Sequence, residues 1–228
     1  MSTPADPVLP PVEPGPIPPL PSGLEAELAS LTPVAPRRPH RQLAAILAVS
    51  LAWSLALVGL LNVRRDLAEL PRLWLVAYVV AWLLGFAVPA FLLVVPRRGE
   101  VMPRWVAAAA ITGIASVGFI VAGLGLARSG PSSLHRGVSA WAGCLSSGLL
   151  AAVVPIALVA LAIRGAVPTA SRATAAALGA CAGALGGFML HLHCPIADGV
   201  HVGVIHGGVA VVAAGVAALT MPRWLAAA

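Results

Sequence analysis

From residue 42 onward the chain is a succession of long apolar runs, broken by short polar stretches that carry most of its arginines. The runs fall near 42–61, 73–95, 105–126, 138–163, 173–190 and 200–220. Each approaches the ~20 residues that cross hydrocarbon as a helix. Pro89 and Pro155 lie inside runs, where a membrane helix takes proline as a kink rather than a stop. Trp74, Trp105, Trp141 and Trp224 stand near run ends, as interfacial aromatics do. The pattern predicts an all-α fold, an integral membrane bundle of six transmembrane helices. In the last two runs Ala175, Gly179, Gly183 and Gly187 recur every four residues, and so do Gly199, Gly203 and Gly207. Such stripes let helices approach closely where no hydrophobic drive exists between them.

The N-terminal 41 residues differ. Residues 1–21 hold nine prolines, two acids and no aromatic residue, so they cannot bury enough surface to fold and are expected to be extended and disordered. Ser22-Gly23-Leu24-Glu25 then has the Ser-x-x-Glu form of a capping box. Leu24, Leu28 and Leu31 follow at helical spacing, with Glu25 and Glu27 to the side. Pro33 and Pro36 end the segment. A helix this short does not persist alone, and its leucine stripe is the kind of surface that docks in a partner's groove. The expected organisation is a Pro-rich tail over 1–41 with a short partner-binding helix at about 22–32. A six-helix domain over 42–221 and a short tail over 222–228 follow.

Composition agrees with a membrane class. Of the 228 residues 59% are hydrophobic and 10% charged, with a mean hydropathy of +0.94, more apolar surface than a soluble domain hides. The net charge of +6 comes from fourteen arginines and no lysine. They sit at run ends, where they face lipid phosphates, so direct nucleic-acid binding is not expected. With the N-terminus inside, nine arginines fall on inner segments and five on outer loops, which predicts both termini in the cytoplasm. The first residues lack the apolar core of a signal peptide.

Candidate chemistry concentrates in residues 191–206, HLHCPIADGVHVGVIH, which hold four of the six histidines. Pro195 to Gly199 would form the tip of a hairpin between the last two spans. His191, His193, Cys194, His201 and His206 are ligand types for zinc, copper or haem iron. As α-helix, residues 191 and 193 point to nearly opposite sides, and 201 and 206 stand ~140° apart. The turn could still gather His193, Cys194 and His201. The competing reading is interfacial histidines bonded to backbone or headgroups. Cys144, six residues into span four, and Cys194, at the end of span five, come out near the same outer face. A disulfide or soft-metal pair is chemically allowed there. Cys181 lies deep and reads as an inert buried thiol. The spans carry no paired carboxylates and no acid beside a serine–histidine pair, so no enzyme is expected.

Several stretches resemble the six-pass bacterial anti-sigma factors of the NrsF type, negative regulators of sigma F. Leu24-Glu25-Ala26-Glu27-Leu28, followed by Pro33 to Arg41, looks like that family's cytoplasmic segment before span one. Leu192-His193-Cys194-Pro195, with a last span closing at Pro222-Arg223-Trp224, is similar to its C-terminal pattern. Cys144 and Cys194 match its cysteine in span four and its cysteine in the LHCP motif. The resemblance implies sequestration of an extracytoplasmic-function sigma factor at the inner membrane, with the outer face sensing stress. The partner-binding residues would be Leu24, Glu25, Leu28 and Leu31. The sensing residues, for oxidant or metal stress, would be Cys144 and Cys194. The alternative is a metal- or haem-binding transporter or redox protein, in which His193, Cys194, His201 and His206 hold zinc or copper. Besides the bilayer and the sigma factor, a second copy of the chain stays open as a partner.

Overall fold

The computed structural model describes residues 22–30, 38–70, 72–95, 137–164, 172–196 and 201–226. The chain divides into two compact units, Met1–Arg37 and Arg38–Ala228. In the first, helix α1 spans Ser22–Ser30. The Ser30 hydroxyl donates to the Glu27 carbonyl at 2.7 Å and closes the last turn. Leu24 is exposed on it. Glu25 and Leu28 lie within the helix, and Leu31 lies outside the described residues.

The second unit is helical in all its described elements. Helix α2 covers Pro39–Leu61, a 3-10 turn Leu67–Glu69, α3 Arg72–Val94, α4 Gly137–Ile163 and α5 Arg172–His193. A π-helical turn over Val202–His206 leads into α6, Gly207–Thr220, and α7 covers Pro222–Ala226. Pro39 opens α2 at a position where its missing N–H costs nothing. Pro89 and Pro155 sit inside α3 and α4, which continue through them.

Five helices among the described residues are long and apolar enough to cross a membrane, not the six expected. The expected third span, 105–126, lies outside the described residues. The five mark a multi-pass membrane protein. Leu60, Leu73, Val138 and Leu219 are each more than three-quarters exposed, an apolar exterior suited to hydrocarbon.

Helix α5 is the axis of the bundle. Its apolar window is 89% buried, against 33% for α2, α3 and α4. The cause is its run of small residues. A Cβ on Gly179 would strike the Ala213 backbone, and one on Gly183 would strike the backbone of Ala210. The α5–α6 contact is therefore backbone against backbone, the geometry that small residues permit between membrane helices. The ladder does not all serve one neighbour, because Gly187 meets the Trp82 ring of α3 instead. Trp82, Phe86, Val159, Leu178, Leu185 and Phe188 fill the core around this axis.

Candidate functional site: a buried thiol–histidine cluster

The cluster forms where α5 ends. The Cys194 N–H still donates to the Leu190 carbonyl at 2.7 Å, but Pro195 has no N–H to continue the ladder. The last carbonyls of α5 are met by the segment after α2. The Arg64 N–H donates to the Leu192 carbonyl at 3.0 Å, and its guanidinium reaches the His191 carbonyl at 3.5 Å. In return His193 Nδ1 donates to the Asn62 carbonyl at 2.8 Å. Asn62 presents that carbonyl from a backbone with φ 72° and ψ 140°, outside the left-handed helical region. Arg64 is only 4% exposed, and two 2.7 Å bonds join it to Asp66. Through those bonds the guanidinium holds the Asp66 carboxyl below its ordinary value of 3.8. A cation at a helix C-terminus also complements the helix dipole.

Against that fixed end, α4 brings Cys144. Its sulfur lies 3.5 Å from that of Cys194. The Cys194 sulfur lies 3.4 Å from His201 Nε2. The three donor atoms all fall within 4.8 Å of one another. Cys194 is 1% exposed and His201 is fully buried, while Cys144 keeps partial exposure. An open cleft of about 400 Å³ runs past this end, and its lining includes His193 and Pro195, the residues on either side of Cys194.

The π turn decides where the next histidine goes. In α-helix, residues five apart diverge by ~140°. Here the Gly207 N–H bonds to the Val202 carbonyl, five residues back, and widens the turn. His201 and His206 consequently share a face, with ring centres 5.4 Å apart and planes at 80°. His206 is fully buried, and its polar neighbour among the described residues is the Cys194 thiol. His201 Nδ1 has no hydrogen-bond partner among the described residues.

The expected ligand set of His193, Cys194, His201 and His206 is thus rearranged. His193 faces the Asn62 carbonyl and His206 falls outside the 4.8 Å donor group, which Cys144 joins instead. His191 stacks on Tyr78 of α3 at 4.8 Å between ring centres. It is buried, as are His201 and His206. Cys181 donates to the Phe86 carbonyl at 3.2 Å, deep between α5 and α3. It takes no part in the cluster.

The family model described as negative regulator of sigma F matches residues 28–226. The chain belongs to that family. The match opens inside α1 and closes inside α7, so every residue of the cluster lies within it. No curated relative and no solved structure matches the chain. For a regulator, the cluster offers chemistry that changes state: two thiols near contact can be joined by oxidation or bridged by a soft or borderline metal ion.

Three residues of this site escape sequence reasoning. Arg64 counts there only among the five outer-loop arginines, and Asn62 and Asp66 are given no role. The available signal was an arginine and an acid two residues apart, directly after a span end.

Proposed function

We propose that this protein is a membrane-anchored anti-sigma factor that holds an extracytoplasmic-function sigma factor away from core polymerase. The observation that carries the reading is the family match over residues 28–226, which opens within α1. The partner surface is the leucine stripe of α1 and its continuation, Leu24, Glu25, Leu28 and Leu31. The protein sits in the bacterial inner membrane, with a sixth span at 105–126 and both termini in the cytoplasm. The thiol–histidine end then faces outward, where Cys144 and Cys194 sense oxidant or metal stress. Two neighbouring thiols suit that task because their bridged and unbridged states differ in contacts between α4 and α5.

The test is a Leu24→Asp, Leu28→Asp double variant in the full chain. The sigma factor should no longer co-purify, and its regulon should be on without stress. Undiminished co-purification would overturn the docking surface. Sidedness is read separately: a periplasm-dependent reporter should be active after Gly199 and silent after Arg98.

A further inference from the structure

We propose that Cys144, Cys194, His201 and His206 form a Cys2His2 centre for a divalent ion of the zinc class, the π turn delivering the fourth ligand. Zinc bonds of ~2.3 Å to sulfur and ~2.05 Å to nitrogen, set tetrahedrally, put two sulfurs ~3.8 Å apart and a sulfur and a nitrogen ~3.6 Å apart. The protein holds these pairs at 3.5 and 3.4 Å. Two imidazoles on one such ion would have ring centres roughly 5 Å apart. His201 and His206 stand at 5.4 Å, edge to face. Cys144, Cys194 and His201 therefore sit at ligand spacing, and His206, outside that 4.8 Å group, must shift to close the set on an ion.

Unmet valence points the same way. A buried polar nitrogen without a partner is costly, and the Cys194 thiol can serve only one of the two on His206. Helices under no constraint keep α geometry, yet this one widens by a residue where doing so turns His206 towards His201. Packing as a small hydrophobe explains Cys181 and leaves the histidines unexplained.

Charge selects the ion. On binding, each thiol gives up its proton to solvent, so M2+ and two Cys–SH become a dithiolate complex plus two protons, with no electron transferred. Two thiolates and two neutral imidazoles around a divalent cation sum to zero. Monovalent copper in the same set would leave a net negative charge in a buried site, which is expensive. The inference rests on the reading of Cys144 and Cys194 as the sensing thiols and adds the ligand class and the two histidines.

The test uses the full chain, purified in detergent, stripped with a chelator and titrated with Zn2+, Co2+ or Cu+ alone. One Zn2+ per chain should bind with release of two protons. Co2+ should give thiolate charge-transfer bands and the strong visible absorption of a tetrahedral site. Cys144→Ser, Cys194→Ser and His201→Ala should each weaken Zn2+ binding at least about 100-fold. His206→Ala should weaken it about 10- to 100-fold and shift the Co2+ spectrum, while Cys181→Ala leaves both unchanged. The wild-type proton count and Co2+ spectrum need no variant, so misfolded mutants do not blunt the test. An octahedral Co2+ spectrum, no proton release, a His206→Ala spectrum identical to wild type, or preference for Cu+ over Zn2+ would each overturn the centre. Sigma-factor co-purification is scored in parallel. Metal binding that leaves it unmoved keeps the centre and removes its sensing role. Retained co-purification without metal binding overturns the centre and leaves the anti-sigma reading standing.

Discussion

The sulfurs of Cys144 and Cys194 lie 3.5 Å apart although fifty positions separate them in the chain. A disulfide needs ~2.05 Å between sulfurs, so joining them moves atoms by little more than an ångström. A mild thiol oxidant such as diamide should take one hydrogen from each thiol and link them within one chain. Counting maleimide-polymer labels after denaturation checks this. The reduced chain should take three labels and the oxidised chain one, at Cys181. Three labels after oxidation would show that the pair does not close.

The Arg64–Asp66 pair predicts a pH dependence. Arg64 depresses the Asp66 carboxyl below its ordinary 3.8, so as pH falls the unfolded chain takes up this proton before the folded one does. The stabilisation is complete above the unfolded value and disappears as pH drops through the folded one. Thermal unfolding in detergent should show this loss at the acid end for the wild type, and Asp66→Asn should show a flatter profile. Arg64→Ala removes a nearly buried cation from the end of α5 and should cost about 2 kcal/mol at neutral pH. An acid profile shared by wild type and Asp66→Asn would assign the loss to other groups.

Backbone contact between α5 and α6 makes Gly183 intolerant of any side chain. In Gly183→Ala the new methyl would meet the Ala210 backbone, and the expected destabilisation is about 1–3 kcal/mol. Gly208→Ala is the matched control, because a Cβ there meets nothing within 4 Å. It should be neutral or slightly stabilising, since alanine is the better helix former. Equal melting temperatures for the two variants would contradict the close packing.

The hydropathy pattern located the five described spans to within a few residues, since burial in lipid requires unbroken apolar length whatever the packing. Helix arithmetic also put Cys144 and Cys194 on one end, because depth along a span follows from rise per residue alone. What arithmetic missed is angular. It placed His201 and His206 on diverging faces by assuming α geometry, and no residue in Val202–His206 announces a bond to the fifth neighbour. His193 looked like a ligand because it adjoins Cys194 in sequence. Its partner is instead an Asn62 carbonyl 131 positions away, fixed by a backbone twist that composition does not encode.

Helix α1 has nine residues, short of the length at which an isolated helix persists in water. Its glycine at position 23 and the prolines at 33 and 36 lower helicity further. If the segment docks on a sigma factor, its order comes from the partner, with Leu24, Leu28 and Leu31 entering one groove at helical spacing. A peptide of residues 20–37 should therefore show little helical circular dichroism alone and gain helix when the sigma factor is added. The Leu24→Asp, Leu28→Asp peptide should gain none, and should fail to compete with the full-length protein for the sigma factor. Competition by the aspartate peptide equal to that of the parent would move the binding surface off this stripe and onto the arginine-bearing stretch before α2.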